Sequence, residues 1–473
     1  MAEGWQIEDR CPQCGAPVSL DETDRLLSCA YCQVRLYVAT DGIPRYCLPV
    51  KPAPVGEIVM VPYWRVRATH YRCVPWELRS ALLDLTRLAT PAPGLPASLG
   101  LRPQAVKLRF AASPLATRFL PVCAPPPLPD DHLEAALAGH DDETHLFETG
   151  VGAATSIVYA PVRLTRAVFD AVLNKRVAPD AEQWLAATSP GSEAPPPIRF
   201  LATLCPACGW QLEAARDSLV LLCVNCRAAW RANQTGLRQV PYSLLETNGS
   251  PGTGAGRHTL RRGACASPRA GQAGRPLRIA TEPPPRRYLP FWRVSARISG
   301  LRVESWADLV RFANLPKVVK KEWGDERAVF WIPAFKAQPD QFVRLSQTAT
   351  LARPGHGTGE IRPAIVARVS ANHGGQAGSR PGAAPPDDPA APPLRTCYPV
   401  TLDEDALPAA VKVLLANLAH PKTRVFPLLR ELSVAVTASD LVYIPLDFNG
   451  REYRHPGLQL TVQSNLLEWG ARL

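Results

Sequence analysis

The sequence has no apolar run long enough to cross a bilayer, since no window approaches the ~18 uninterrupted apolar residues of a spanning helix. Met1 to Arg10 is acidic and lacks an apolar core, so no secretory leader is expected. The expectation is a soluble, cytoplasmic chain without a transmembrane segment. Catalytic signatures are missing too: there is no Gly-x-Ser-x-Gly elbow, no P-loop and no dinucleotide fingerprint. The nine histidines form no His-Glu-x-x-His or other spaced ligand set. Gly252 to Gly256 is glycine-rich, but no strand signal precedes it. The acidic clusters Asp141-Asp142-Glu143 and Asp403-Glu404-Asp405 read as a solvated loop and as a helix start, where carboxylates offset the dipole. These absences argue against an enzyme and assign neither a catalytic nor a cofactor-binding residue.

Basic charge is more localised than the net +11 suggests. Arg257, Arg261, Arg262, Arg269, Arg275, Arg278, Arg286 and Arg287 lie between Gly249 and Arg287 with Glu282 as the only acid, so that segment carries +7 of the +11. The remaining +4 is spread over the rest of the 473 residues and makes no basic folded face. Length alone asks for more than one domain. The 50 prolines, about twice the usual ~5% share, favour linkers, broken helices and strand edges over long helical bundles.

What the chain does have is a repeat. Cys11-Pro-Gln-Cys14-Gly15 followed by Cys29-Ala-Tyr-Cys32 recurs as Cys205-Pro-Ala-Cys208-Gly209 followed by Cys223-Val-Asn-Cys226. A Cys-x-x-Cys pair aims two thiolates at one ion, and two pairs a short hairpin apart close a four-sulfur shell with no open position for water. Each quartet is therefore expected to hold one structural zinc ion, two Zn2+ in all. Rubredoxin-type iron uses the same geometry and stays open. Redox pairs usually stand singly beside a βαβ pattern, and disulfides need an oxidising compartment. Cys47, Cys73, Cys123, Cys265 and Cys397 have no paired spacing and read as buried or incidental thiols.

The repeat extends past the cysteines. Val61-Pro62-Tyr63-Trp64-Arg65-Val66 matches Leu289-Pro290-Phe291-Trp292-Arg293-Val294, and Ile157 to Val162 matches Leu441 to Leu446. A weaker match sets Val106–Ala111 against Trp331–Lys336. The chain reads as a tandem duplication of mainly β (α+β) class. Zinc ribbon 1 is expected at 1–40, a β-rich module at 41–188, a proline-rich linker at 189–198, zinc ribbon 2 at 199–235 and a second β-rich module at 236–473. Stretches 247–285 and 354–393 are low in complexity, and disorder is expected there.

Ile58–Ala68 and Leu289–Ile298 read as edge strands, each with one proline. Asn449-Gly450 signals a hairpin. Helices are expected at Trp76–Leu88, from Leu78, Leu82, Leu85 and Leu88, and from Asp130 or Asp131 to Leu137. A third is expected at Leu407–Leu418, capped by Thr401 or, better, by Asp405. Tyr63, Trp64, Phe291 and Trp292 read as β-core, with Arg65 and Arg293 snorkelling at its rim. A base-stacking platform would need a wider basic face.

The ribbon followed by Val61-Pro62-Tyr63-Trp64 or Leu289-Pro290-Phe291-Trp292 resembles large bacterial zinc-ribbon proteins of unassigned role, some named after the primosomal helicase N′ protein. The resemblance spans about a quarter of the chain and implies zinc ligation by Cys11, Cys14, Cys29, Cys32, Cys205, Cys208, Cys223 and Cys226. It brings no helicase activity, because no nucleotide-binding motif is present. Residues 1–40 carry three arginines against six acids, and residues 200–235 three against two, so neither ribbon has the clustered cations a phosphate backbone needs. The expected function is that of a non-enzymatic scaffold or adaptor with protein partners. Nucleic-acid binding through the arginine-rich linker is the alternative.

Overall fold

The computed structural model describes residues 5–40, 42–50, 56–74, 77–100, 107–111, 118–124, 146–188, 191–192, 195–196, 198–233, 236–246, 286–356, 359–364 and 396–470. The expected helix at 130–137, the Asp141-Asp142-Glu143 cluster, Gly252–Gly256 and Cys265 lie outside them. The first half opens with two hairpins, β1 (Gln6–Arg10) with β2 (Pro17–Asp21) and β3 (Leu26–Ser28) with β4 (Arg35–Ala39). Then come β5 (Arg45–Cys47), β6 (Glu57–Val74), β7 (Glu77–Leu88), β8 (Arg109–Phe110) and β9 (Arg118–Phe119). β10 (Phe147–Leu164) returns antiparallel along all of β6, and β11 (Val168–Asp170), β12 (Lys175–Ala178) and the helix Ala181–Ala187 follow.

In the second half, β13 (Arg199–Ala202) leads into β14 (Leu212–Glu213), β15 (Val220–Cys223), β16 (Ala229–Asn233) and β17 (Gly236–Val240). After these come β18 (Tyr242–Glu246), β19 (Arg286–Ser299), the helix Trp306–Phe312, β20 (Phe330–Pro333), the helix Pro339–Ala352 and β21 (Glu360–Pro363). Helices Leu407–Leu418 and Lys422–Leu429 precede β22 (Ser433–Phe448), β23 (Glu452–Arg454), β24 (Thr461–Gln463) and the helix Ser464–Gly470. Strands at 46% against helices at 17% make the class mainly β, as expected.

The two halves repeat one pairing scheme. β10 takes β6 on one side and β5, parallel, on the other; β22 takes β19 and, parallel, β18. Registers agree in detail, with Tyr159 opposite Pro62 and Tyr443 opposite Pro290. β8 flanks β5 as β21 flanks β18. Trp64 Nε1 donates to the Ala124 carbonyl at 2.9 Å and Trp292 Nε1 to that of Leu402 at 3.1 Å. The third sequence match is corrected: Arg109–Phe110 sits on β8 beside β5, whereas Phe330–Pro333 pairs with β19 as the end of β7 pairs with β6.

Four further expectations change. Residues 77–88 form β7, not a helix, because all twelve pair with β6 and its ladder overrides leucine spacing that fits either period. β6 and β19 are flanked on both sides rather than being edges. Each tolerates its proline where a neighbour ends: Leu88 lies opposite Tyr63 and Pro333 opposite Phe291, one residue short of Pro62 and Pro290. The helix Leu407–Leu418 starts where expected, but Asp403 caps the 3₁₀ turn Glu404–Ala406 before it, and the helix has no side-chain cap of its own. Glu360–Pro363, placed in a disordered stretch, forms β21 against β18. The hairpin at Asn449-Gly450 does form, between β22 and β23.

The largest core joins the halves. Tyr71, Cys73, Phe147 and Val151, at the far ends of β6 and β10, pack with Leu407, Val411 and Leu414 of the second half. A bulge at Val151/Ala154 interrupts the ladder of the long hairpin near that contact, and the Tyr71 hydroxyl donates to the Pro339 carbonyl at 3.1 Å.

Candidate metal centres

Each cysteine pair occupies the tip of a tight turn, and all four turns are built alike. The N–H of the first cysteine donates to the carbonyl five residues on: Cys11 to Ala16, Cys29 to Val34, Cys205 to Trp210 and Cys223 to Ala228, at 2.8–3.0 Å. The carbonyl of the same cysteine accepts from the residue four on, namely Gly15, Gln33, Gly209 and Arg227, again at 2.8–3.0 Å. That fourth residue is left-handed every time, with φ of 74° at Gly15, 59° at Gln33, 72° at Gly209 and 60° at Arg227. Glycine is free to adopt this conformation; Gln33 and Arg227 hold it under strain. The glycines are visible in the sequence. Their non-glycine counterparts are identifiable only from position in the turn.

The turns meet in two quartets. Within each, all four sulfurs lie within 4.8 Å of one another. Cys11 and Cys32 are 3.8 Å apart, Cys14 and Cys29 3.7 Å, Cys205 and Cys226 3.5 Å, and Cys208 and Cys223 3.4 Å. A regular tetrahedron with metal–sulfur bonds of ~2.3 Å has edges of about 3.8 Å. These separations fit such an ion and are far from the ~2.05 Å of a disulfide. All eight cysteines are free thiols. The N–H of Cys32 heads the influences that pull Cys29 down to about 7. Burial opposes ionisation at Cys208, yet Asn225, the Trp210 N–H and the thiols of Cys223 and Cys226 pull it down to about 7 as well. Each quartet thus has one thiol ready to ionise near neutral pH, which helps a metal displace the remaining protons.

The two sites differ in cover. Cys14 and Cys32 are exposed, while in the second quartet Cys205, Cys223 and Cys226 are buried and Cys208 is half-buried. The ribbons also interlock. β13, expected to open ribbon 2, pairs antiparallel with β4 of ribbon 1, in the place β17 holds beside β16. The Arg216 carbonyl accepts from the N–H groups of Arg25 and Leu26 at 2.6 and 2.9 Å.

The aromatic blocks are core, as expected: Tyr63, Trp64, Phe291 and Trp292 are buried. Arg293 lies at the rim and reaches Asp440 at 3.3 Å. Arg65 does not snorkel. It is 2% exposed, stacks 3.9 Å over Trp5, pairs with Glu22 at 3.0 Å and also holds Asp84. No sequence pattern marks this cluster, because its members come from three separate segments. The acids at 403–405 do begin a helical turn, and Arg231 of β16 pairs with Asp403. Arg286 and Arg287, counted with the basic linker, belong to β19, where Arg286 pairs with Asp447 and Arg287 lies over the Tyr453 ring. Cys47 and Cys73 are buried, Cys397 is half-buried and Cys123 is exposed. No described helix is long and apolar enough to cross a membrane. No protein-family model matches the chain, and neither does any curated protein or solved structure.

Proposed function

We propose that this chain is a non-enzymatic scaffold in which two structural zinc ions fasten two matching β-rich halves and present them to a protein partner. The observation that carries this reading is the pair of closed four-sulfur quartets in ribbons that pack on each other. Four thiolates leave no coordination position for a substrate, so the metal acts by folding the ribbons. Each ribbon also offers an exposed aromatic beside a cysteine turn, Tyr31 at 70% exposure and Trp210 at 52%, without clustered cations beside it. Exposed aromatics of this kind anchor protein interfaces. The test is affinity capture of the zinc-loaded chain from native cells, with and without nuclease. A nuclease-resistant protein partner that is lost in the Tyr31→Ala/Trp210→Ala variant is expected, with the zinc content of that variant unchanged. Capture that disappears with nuclease would favour the second reading, nucleic acid bound through the arginine-rich segment. That reading rests on the charge of residues 249–287 and predicts binding that falls steeply with salt and is lost with the segment.

A further inference from the structure

A cleft of about 300 Å³ opens where the halves meet. Its walls come from the β2–β3 loop, the bulge of β10, ribbon 2 and the segments before the helix Leu407–Leu418. That volume is at the lower end of the range for small-molecule sites. Lys336 lies within it, just past β20, on a firmly held backbone. Its N–H donates to Thr401 Oγ1 at 2.9 Å, and the neighbouring Ala334 N–H donates to the Pro290 carbonyl at 3.0 Å. Among the described residues the Lys336 ammonium closes no hydrogen bond or ion pair; Asp217 and Glu22 act on it only from a distance.

The nearby acids are mostly engaged elsewhere. Glu22 is committed to Arg65 and Arg67, and Asp84 to Arg65. Lys336 and Arg25 then share the cleft wall with Asp217 and the exposed Asp405, and neither cation closes an ion pair of its own among the described residues. At the mouth Asp403 is tied to Arg231, and Asp405 is exposed to water.

We propose that this cleft binds a small organic anion, a carboxylate or a phosphate monoester, with Lys336 as its anchor and Arg25 as the second cation. Burial lowers the affinity of Lys336 for its proton, Asp217 partly restores it, and Arg67 and Arg25 oppose it. An anion relieves that crowding of cations. The bulge brings Gly152 against the second half: a Cβ there would lie 3.1 Å from Leu402, and its φ is +68°.

The test uses the metal-loaded full chain and pyridoxal 5′-phosphate, an anionic aldehyde. Its carbonyl condenses with an unprotonated lysine amine, releasing water, and borohydride reduces the imine to a stable secondary amine that is mapped by peptide mass spectrometry. Lys336 should label at least about tenfold faster than the exposed Lys317, Lys320 and Lys321. Pyridoxal, which lacks the phosphate, should react slowly. Slowing by inorganic phosphate assigns a phosphate ligand, and slowing by acetate a carboxylate. Arg25→Gln should weaken that protection at least about fivefold with two metal ions retained. Labelling of Lys336 no faster than that of the surface lysines, or protection by neither anion, would overturn the proposal.

Discussion

At the residue scale, Arg65 joins three segments by charge. Its guanidinium spans Glu22 and Asp84 while stacking on Trp5. Arg65→Ala should lower the unfolding free energy by about 3 kcal/mol, because it removes one of the two cations that compensate buried Glu22 and the partner of Asp84. Arg65→Lys should recover little, since one ammonium cannot span two carboxylates. Urea titration checks both; a loss below about 0.5 kcal/mol would show the cluster to be solvated. His455 offers a pH test. Its Nδ1 accepts from the N–H groups of Gly457 and Leu458 at 3.0 and 3.1 Å, a role open only to the unprotonated nitrogen. Burial, assisted by Arg286 and opposed by Asp447, pulls it down to about 4. Unfolded histidine titrates near ~6.5, so the unfolded chain binds the extra proton between those values. The contribution is full above about pH 6.5 and is lost as pH falls towards about 4, by up to about 3 kcal/mol. His455→Asn keeps an acceptor without the titration and should flatten that fall, read from unfolding temperatures at neutral and acid pH. Equal acid losses in both proteins would remove His455 as the cause.

At the scale of elements, the turn around each cysteine pair is the repeating unit. Gly209→Val places a β-branched residue at φ 72° and should cost about 1–3 kcal/mol, appearing as weaker metal retention against a chromogenic chelator. Gln33→Gly, at φ 59°, should retain metal at least as well as the parent. If Gly209→Val holds metal normally, the left-handed position is not what shapes the turn. These turns were legible because their determinants lie within six residues of one another. The aromatic blocks were legible for a similar reason, their apolar runs marking strands wherever they pair. β7 was not, since Leu78, Leu82 and Leu88 share a strand face as well as a loose helical one, and only β6 decides between them. Pro62 and Pro290 suggested edges because the sequence does not reveal where a neighbouring strand stops.

At the scale of the molecule, the ribbons and the far ends of β6 and β10 tie the halves together. Nothing local announces that Arg199–Ala202 will pair with β4, some 160 residues earlier, or that Tyr71 will reach Pro339. Those contacts arise from burying the apolar faces the two halves leave open. Loss of one metal should therefore be felt in the other ribbon. Cys208→Ser should lower metal content to one ion per chain and speed hydrogen exchange across residues 25–39, because β13 and the Arg216 carbonyl brace that segment. Unchanged exchange there would mean that the ribbons fold independently.

Native mass spectrometry of the purified chain under non-reducing conditions tests the central claim most directly, because it weighs bound metal and missing thiol hydrogens together. The two quartets predict the fully reduced chain plus two zinc ions, less the thiol protons those ions displace, and the mass of the fully reduced chain once acid has stripped both. A native mass with fewer than two metal ions, or an acid-denatured mass short of the hydrogens that disulfides remove, would contradict it.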